Sequence, residues 1–272
     1  MPGEPPVLTA LGSGTLVPDA RRHSAAYHLR AGRASVLLDC GAGTLHGFAA
    51  HGVAWRELTH IAVSHFHTDH VGELPPVMFA FEHAVGAQRT EPLRLVGPPG
   101  FRDLVERFRY AHGDSIVDPG FPVQVVEIDP GDPLDDPELG VTITAAPTPH
   151  TEESVCYRLS GRWGAVGYTG DTGPSREVAD HLAGVDVLVA ECGMTDPPSV
   201  DTHLSPARLA ELAGHVRPRL LVVTHVYPPQ QPDEALARVR ARYEGPAVAA
   251  YDGLRVTLRP EGPVVDAPPG AG

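Results

Sequence analysis

The feature that most constrains this chain is a group of four ligand-capable side chains directly after a short apolar segment. The apolar residues 61–63 lead into His65, His67, Asp69 and His70. Side chains two apart in an extended segment point to the same side, so the first two histidines share one side. The aspartate and the last histidine follow where the chain is expected to turn into a helix. All four side chains can therefore face one small volume at the end of a buried strand.

This combination of imidazole and carboxylate groups predicts a metal site. Such ligands suit zinc or a similar first-row ion, at about 2.0–2.2 Å per bond, and we expect Zn²⁺, with Mn²⁺ or Fe²⁺ as alternatives. The competing interpretation is a solvated polar loop after a strand. The density of ligands beyond a buried strand favours the metal site.

Three more candidate ligands occupy the same position relative to apolar, strand-like runs. Open α/β sheets place their ligand sites beyond the carboxyl ends of the strands. Each of these residues alone is also compatible with an ordinary turn or capping role, and only their joint placement indicates a site. They are His150 after 141–145, Asp171 after 165–169 and His225 after 220–224.

The seven candidate ligands are too many for one tetrahedral zinc ion and divide naturally between two ions. A carboxylate can bridge two ions about 3.5–4 Å apart. Two divalent ions bring +4, while Asp69, Asp171 and a bridging hydroxide bring −3, which leaves about +1. We expect such a centre to favour an anionic group, or one that becomes anionic in the transition state.

The charge and composition of the chain restrict its partners. The 272 residues carry a formal net charge of −13, and none of the 21 basic residues is a lysine. This acidity opposes the docking of extended nucleic acid or an anionic membrane, because both rely on clustered basic residues. We therefore expect a small anionic or ester substrate and no membrane partner.

The few cysteines and the apolar pattern predict a cytoplasmic protein. Three cysteines without CxxC spacing suit a reducing compartment. No run approaches the ~20 apolar residues of a membrane helix, and the N-terminal sequence lacks the pattern of a secretory signal.

Short β-branched runs alternate with helix-like segments, which predicts a layered α/β architecture. Residues 1–260 are expected to form one domain and residues 261–272 a disordered tail. The apolar segment 75–86 is expected to form a core helix or a hydrophobic wall over the substrate. The predicted strands cover 7–11, 35–39, 60–64, 93–96, 123–128, 141–145, 154–159, 165–169, 185–190, 220–224, 247–251 and 255–258, and the predicted helices cover 44–51, 71–85, 101–112, 177–182, 206–215 and 232–243.

The metal motif, with its later His, Asp and His, resembles the metallo-β-lactamase superfamily, and the flanking motifs are similar to its ribonuclease Z-like branch. The resemblance extends over about residues 7–258. The motifs that carry it are LGSGT at 11–15, RHSAA at 22–26, LLDCGAGT at 37–44, PLRLVGPPG at 92–100, AEC at 190–192 and HLS at 203–205.

The resemblance implies a four-layer αββα sandwich with the site at one edge of its two sheets, and it suggests a homodimer. His203 resembles the family's proton donor to the leaving oxygen, held by Glu191, although a helix-start polar residue and a strand-end carboxylate are the plainer interpretations. Asp69 would also orient the bridging hydroxide. The implied ligand sets are His65, His67 and His150 for one ion, and Asp69, His70 and His225 for the other, with Asp171 bridging.

One departure from the branch concerns the substrate. Ribonuclease Z that matures tRNA usually carries a protruding arm between the third metal histidine and the bridging aspartate. Here only 20 residues separate His150 from Asp171, and two strand-like pieces fill them. There is no room for the arm, which weakens the expectation of a tRNA substrate.

The leading hypothesis is a dinuclear-metal hydrolase that cleaves a small phosphodiester by attack of a metal-bridging hydroxide. The first alternative is a hydrolase of the same fold that acts on a lactone, a thioester or a sulfate ester. The second is a true tRNA 3′-end endonuclease, and the third a non-catalytic binding protein that inherited the fold.

Overall fold

The computed structural model describes residues 4–266, except for the side chain of Ala87. Strands form at each segment where the sequence predicts one, and three further strands are present. In chain order they are β1 (Val7–Gly12), β2 (Ala26–Ala31), β3 (Ala34–Leu38), β4 (His60–Ala62), β5 (Leu93–Gly97), β6 (Val123–Glu127), β7 (Leu134–Asp136), β8 (Val141–Pro147), β9 (Val155–Gly161), β10 (Gly164–Tyr168), β11 (Val187–Glu191), β12 (Leu220–Thr224), β13 (Ala247–Ala249), β14 (Arg255–Thr257) and β15 (Val264–Val265).

The helices lie between the strands, as the sequence predicts. Short 3₁₀ turns at Trp55–Glu57, Gly86–Gln88 and Asp114–Ile116 supplement them. The α-helices are α1 (Thr44–Ala50), α2 (Thr68–Val71), α3 (Leu74–Ala84), α4 (Phe101–His112), α5 (Arg176–His181), α6 (Pro206–Val216) and α7 (Pro232–Arg240).

Two mixed sheets face each other. The first has eight strands in the order β15-β14-β1-β2-β3-β4-β5-β6, and the second has seven in the order β13-β12-β11-β10-β9-β8-β7. One apolar core fills the space between them, with Tyr27 and Leu38 from the first sheet and Tyr157 and Val166 from the second. Helices cover both outer faces through two further cores. The expected four-layer αββα sandwich is confirmed.

The parallel halves of the two sheets position the candidate site. Strands β3 to β6 run parallel in one sheet, and strands β10 to β13 run parallel in the other. Parallel strands end at a common edge, so the loops after β3, β4, β10, β11 and β12 meet there. The candidate ligands lie in these loops and in the loop after β8.

The structure differs from the sequence prediction at the helix expected over 71–85. Two helices form instead, with a break at Gly72 and Glu73. The cause lies in Pro75 and Pro76, which have no N–H to continue the hydrogen bonding of α2 and which suit the first turn of a new helix. The break separates α3 from the loop that carries the candidate ligands, and α3 places Val77 and Phe81 in the core.

The expected tail also begins differently. Val264 and Val265 form β15, which pairs antiparallel with β14 at the edge of the first sheet. The side chain of Asp266 accepts hydrogen bonds from the Thr257 hydroxyl at 3.1 and 3.3 Å. Residues 261–266 are therefore ordered by pairing rather than forming a tail, and 267–272 lie outside the described residues.

Candidate metal centre

The loop after β4 delivers four of the seven candidate ligands. The strand ends at Ala62, and an extended stretch carries His65 and His67 before α2 begins at Thr68. Asp69 and His70 lie in the single turn of this helix, which aims them at the same volume. His65 and His70 are fully buried and Asp69 is 5% exposed, so these three side chains are packed in place, whereas His67 is exposed.

The first ligand group joins this loop to the one after β8. The Nδ1 atom of His67 lies 3.1 Å from Nε2 of His65 and 3.1 Å from Nε2 of His150. Ligand atoms around a tetrahedral zinc ion are about 3.3 Å apart when each bond is 2.0–2.1 Å. The three nitrogens therefore converge with the spacing expected of ligands around one metal ion.

The second group brings Asp69 and His70 together with His225 from the loop after β12. The Nε2 atom of His225 lies 3.2 Å from Nε2 of His70 and 3.3 Å from Oδ2 of Asp69. These separations again match the edges of a metal coordination shell.

Asp171 lies between the two groups and presents one oxygen to each. Its Oδ1 is 3.5 Å from Nε2 of His70 and 3.4 Å from Nδ1 of His225. Its Oδ2 is 4.0 Å from Nε2 of His65 and 3.8 Å from Nε2 of His150. This arrangement suits a carboxylate shared by two ions.

Two buried polar atoms of the centre lack a hydrogen-bond partner, which suits a site that holds cations. Among the described residues, Oδ1 of Asp171 and Nδ1 of His225 are buried without a hydrogen-bond partner. A buried carboxylate oxygen left unpaired is costly, and a metal ion would satisfy it. The donor set of imidazoles and carboxylates also fits first-row ions.

The electrostatics of the cluster agree with this assignment. Burial opposes ionisation of Asp171, but the charges of His225 and His70 outweigh it and hold its pKa well below the usual range. Burial, assisted by His70, lowers the pKa of His65, so its imidazole is neutral, as a metal ligand must be. Burial also disfavours the charged form of His70, yet Asp171 and Asp39 raise its pKa, so this volume attracts positive charge.

Asp39 is a supporting residue to which the sequence analysis gave no role. Fully buried after β3, it accepts hydrogen bonds from the backbone N–H and hydroxyl of Ser64 at 2.7 and 2.8 Å, and from the Tyr168 hydroxyl at 2.5 Å. Nδ1 of His70 donates to it at 2.6 Å. This bond directs Nε2 of His70 toward the centre. The sequence signal that could have pointed to this role is an aspartate directly after an apolar strand.

The histidine of the loop after β8 is oriented in the same way. Nδ1 of His150 donates to the carbonyl of Thr202 at 3.1 Å, which leaves Nε2 free for a ligand role. The contact also joins this loop to the segment that carries His203.

The structure brings Glu191 and His203 together beside the seven candidate ligands. Nδ1 of His203 donates to Oε1 of Glu191 at 2.8 Å, and the backbone N–H groups of Thr172 and Gly193 also donate to this carboxylate. Burial opposes the charged form of His203, but the hydrogen bond and charge of Glu191 outweigh it and raise the pKa. Burial in turn raises the pKa of Glu191.

Tyr227, to which no sequence pattern points, borders the centre two residues after His225. Its ring stands edge-on to those of His225 and His203, with centroids 5.3 and 6.0 Å away. Burial, followed by the nearby charges of Asp69 and Asp171, raises its pKa, so the phenol stays protonated. A lone tyrosine after a predicted ligand gave no signal in the sequence.

Two facing sheets flanked by helices, with a cluster of histidines and aspartates suited to a pair of metal ions at one edge, define a metallo-hydrolase of the β-lactamase type. The chain belongs to this superfamily: the family model described as the beta-lactamase superfamily domain matches residues 34–226.

Individual relatives agree with the ribonuclease Z-like resemblance. A protein named Ribonuclease Z from Mycolicibacterium gilvum is 30% identical, over 93% of this chain and 96% of the relative. One of the same name from Mycobacterium bovis is 31% identical, over 93% and 98%. The expected family is thus confirmed at the level of the superfamily and of its ribonuclease Z-like members.

Solved structures show the same fold at lower identity. The metallo-β-lactamase fold protein YhfI from Bacillus subtilis superposes with a TM-score of 0.79 at 21% identity, covering 93% of this chain and 99% of that one. Human tRNase Z, short form, gives 0.75 at 21% identity with the same coverage. A diphosphatase from the PhnP family gives 0.70 at 18%, covering 93% and 98%.

Proposed function

We propose that this chain is a dinuclear-metal phosphodiesterase that cleaves a small substrate. The observation that carries the proposal is Asp171, whose two buried oxygens face two separate groups of ligands. The pair of His203 and Glu191 beside these groups supplies the proton donor that cleavage of a phosphodiester needs.

In this proposal the seven side chains hold two zinc ions, and Mn²⁺ or Fe²⁺ are the alternatives. The first ion is assigned to the group of three histidines, and the second to Asp69, His70 and His225. When bound, the ions lower the pKa of water to near 7 and stabilise negative charge on the phosphoryl group. The protein's part is to hold its ligands rigidly, which Asp39 does for His70 and Thr202 for His150.

His203 is proposed to protonate the leaving oxygen from its Nε2 atom. Its Nδ1–H donates to Glu191, so Nε2 is the nitrogen that can reach a substrate. The carboxylate stabilises the imidazolium form before transfer and orients the ring throughout. Asp69 is proposed to orient the attacking water, because its Oδ2 faces the second ligand group.

A small substrate fits the surface around the site better than a long polyanion does. Between His150 and Asp171 the chain forms only the hairpin of β9 and β10, without a protruding arm. Three arginines close in sequence to the site loops are paired: Arg22 with Asp19, Arg176 with Asp180 and Arg208 with Asp201. Their pairing leaves less positive charge to hold a phosphate backbone.

The second candidate function is tRNA 3′-end cleavage, and one observation favours it. The relatives named Ribonuclease Z are similar over more than nine-tenths of this chain. A turnover panel with the zinc-loaded protein separates the candidates: bis(p-nitrophenyl) phosphate, cyclic nucleotides, pre-tRNA, a lactone, a thioester and a sulfate ester.

We expect turnover of the small phosphodiesters well above that of the other compounds. Efficient cleavage of pre-tRNA at its 3′ end would establish the second candidate instead. Turnover confined to the lactone, thioester or sulfate ester would overturn the phosphodiester proposal while keeping the hydrolase.

The proposal also concerns the membrane, the cellular location and the oligomeric state of the protein. No helix within residues 4–266 has the length and apolarity to cross a membrane. A cytoplasmic location and a homodimer are predictions that fractionation and light scattering would test.

A non-catalytic binding role would require a protein that takes up no transition metal or turns over nothing in the panel.

A further inference from the structure

Tyr227 forms a wall of the candidate site that none of the assigned roles uses. It is half-buried, while Val226 before it is fully buried, so the chain turns its aromatic ring outward beside the ligands. The ring is edge-on to His225 at 80° and to His203 at 71°. It therefore borders both a candidate ligand and the candidate proton donor.

The close fit of this wall depends on a glycine. A side chain at Gly193 would place its Cβ 3.3 Å from Cδ2 of Tyr227, 3.3 Å from Nδ1 of His203 and 3.1 Å from Oε2 of Glu191. Such contacts are tighter than packed side chains normally make. The bare backbone at this position allows the phenol and the imidazole to stand side by side.

Two polar groups on this wall are left open. Nδ1 of His203 is engaged by Glu191, whereas Nε2 makes no hydrogen bond in the part of the chain that the structure describes. The Tyr227 hydroxyl is likewise without a partner among residues 4–266. Both rings border the candidate centre, so a free hydroxyl and a free ring nitrogen on them are available to oxygens of a bound ligand.

We propose that Tyr227 is a substrate-contacting residue whose hydroxyl donates a hydrogen bond to an oxygen of the phosphoryl group, next to His203. This inference rests on the proposed phosphodiesterase function and adds a specificity-determining contact to it. The contact is a hydrogen bond to an anionic oxygen, which is stronger than one between neutral groups. If Tyr227 instead served only to stack against a ring of the substrate, its own ring would be sufficient and the hydroxyl would not be needed.

The test compares Tyr227→Phe with wild type in the zinc-loaded full chain. The substitution keeps the ring and removes only the hydroxyl. The matched control is Tyr243→Phe, because Tyr243 is also half-buried and its hydroxyl reaches only the carbonyl of Pro218 at 3.5 Å. Four quantities are measured: kcat and KM with bis(p-nitrophenyl) phosphate, the Kd of inorganic phosphate by calorimetry, and the metal content.

For Tyr227→Phe we expect kcat/KM to fall, and the Kd of phosphate to rise, by about tenfold or more, with unchanged metal content. Tyr243→Phe should match wild type. The proposal is overturned if Tyr227→Phe binds phosphate as wild type does, or if it loses metal, which would indicate a structural role. If wild type cleaves no phosphodiester, the proposed function fails, and the phosphate titration still decides whether Tyr227 contacts an oxyanion.

Discussion

At the scale of single residues, Asp171 and Asp39 show how carboxylates prepare the candidate centre. Asp171 is buried with one unsatisfied oxygen among the described groups, and Asp39 is buried with four hydrogen bonds around it. The first holds negative charge between the two groups of candidate ligands, and the second orients a candidate ligand without facing the centre. The sequence could indicate Asp171 by its position after a strand, whereas Asp39 needed the folded contacts.

The role of His203 makes a specific prediction about leaving groups. His203→Ala should lower kcat/KM by about 10²–10⁴-fold for a diester with an alkyl leaving group, which must be protonated as it departs. A nitrophenyl leaving group departs without a proton, so its cleavage should change little. Steady-state kinetics on the two diesters measure the ratio, and equal losses on both would refute the role.

A second residue-scale prediction concerns stability in acid. His28 is 5% exposed, and Nε2 lies 2.8 Å from the Ser35 hydroxyl. Burial, helped by Arg30 and Arg255, lowers its pKa to about 4. The unfolded chain, with a pKa of about 6.5, binds the proton first, so stability is lost as pH falls from about 6.5 to 4.

Between pH 7 and pH 5 this loss amounts to about 2 kcal/mol for His28. Denaturant unfolding of His28→Gln at both pH values should show a decline smaller by that amount, because glutamine keeps a polar group but does not titrate. The control is His46→Gln, since His46 is exposed. An identical decline in wild type and His28→Gln would contradict the assignment.

At the scale of elements, the sequence identified strands best where β-branched runs are continuous. Strand β12 is fully buried and apolar, and its bounds match the prediction. Strand β2 was missed because its sequence, AYHLRA, mixes polar with apolar residues. Its His28 can be buried only because Ser35 of the neighbouring strand bonds to it, and no local pattern reveals such a partner.

Helix α3 covers most of the apolar segment 75–86, for which a core helix or a wall over the substrate was expected. One face is buried and packs in the core under the first sheet, as expected for a core helix. The opposite face leaves Phe79 52% exposed. A role as a substrate wall stays a prediction.

Truncating a side chain to alanine should change the free energy of unfolding by different amounts on the two faces of α3. Phe81 is fully buried, with ring centroids 5.0 Å from Trp55 and 5.5 Å from Phe121. Phe81→Ala should lower the free energy of unfolding by about 3–5 kcal/mol. Phe79→Ala on the same helix should change it by about 0.5 kcal/mol or less. Chemical denaturation measures both, and similar losses would show that α3 packs differently.

At the scale of the whole molecule, the fold follows from patterns that the sequence displays, while the substrate does not. The alternation of strands and helices predicted a layered α/β architecture, and the resemblance carried by the motifs implied the sandwich with the site at its edge. The wall formed by Tyr227, Gly193 and His203 combines the loops after β11 and β12, and only folding brings them together. The net charge of −13 also acts at this scale, since it opposes long polyanions without opposing phosphate chemistry at a cationic centre.

The proposed centre of two metal ions that cleaves phosphodiesters is tested by titrating metal-free protein with zinc. Turnover of bis(p-nitrophenyl) phosphate should rise with added zinc and reach its plateau at about two ions per chain. Asp171→Ala, which removes the shared carboxylate, should fail to reach that plateau. A plateau at one ion, or no cleavage at any zinc concentration, would contradict the claim.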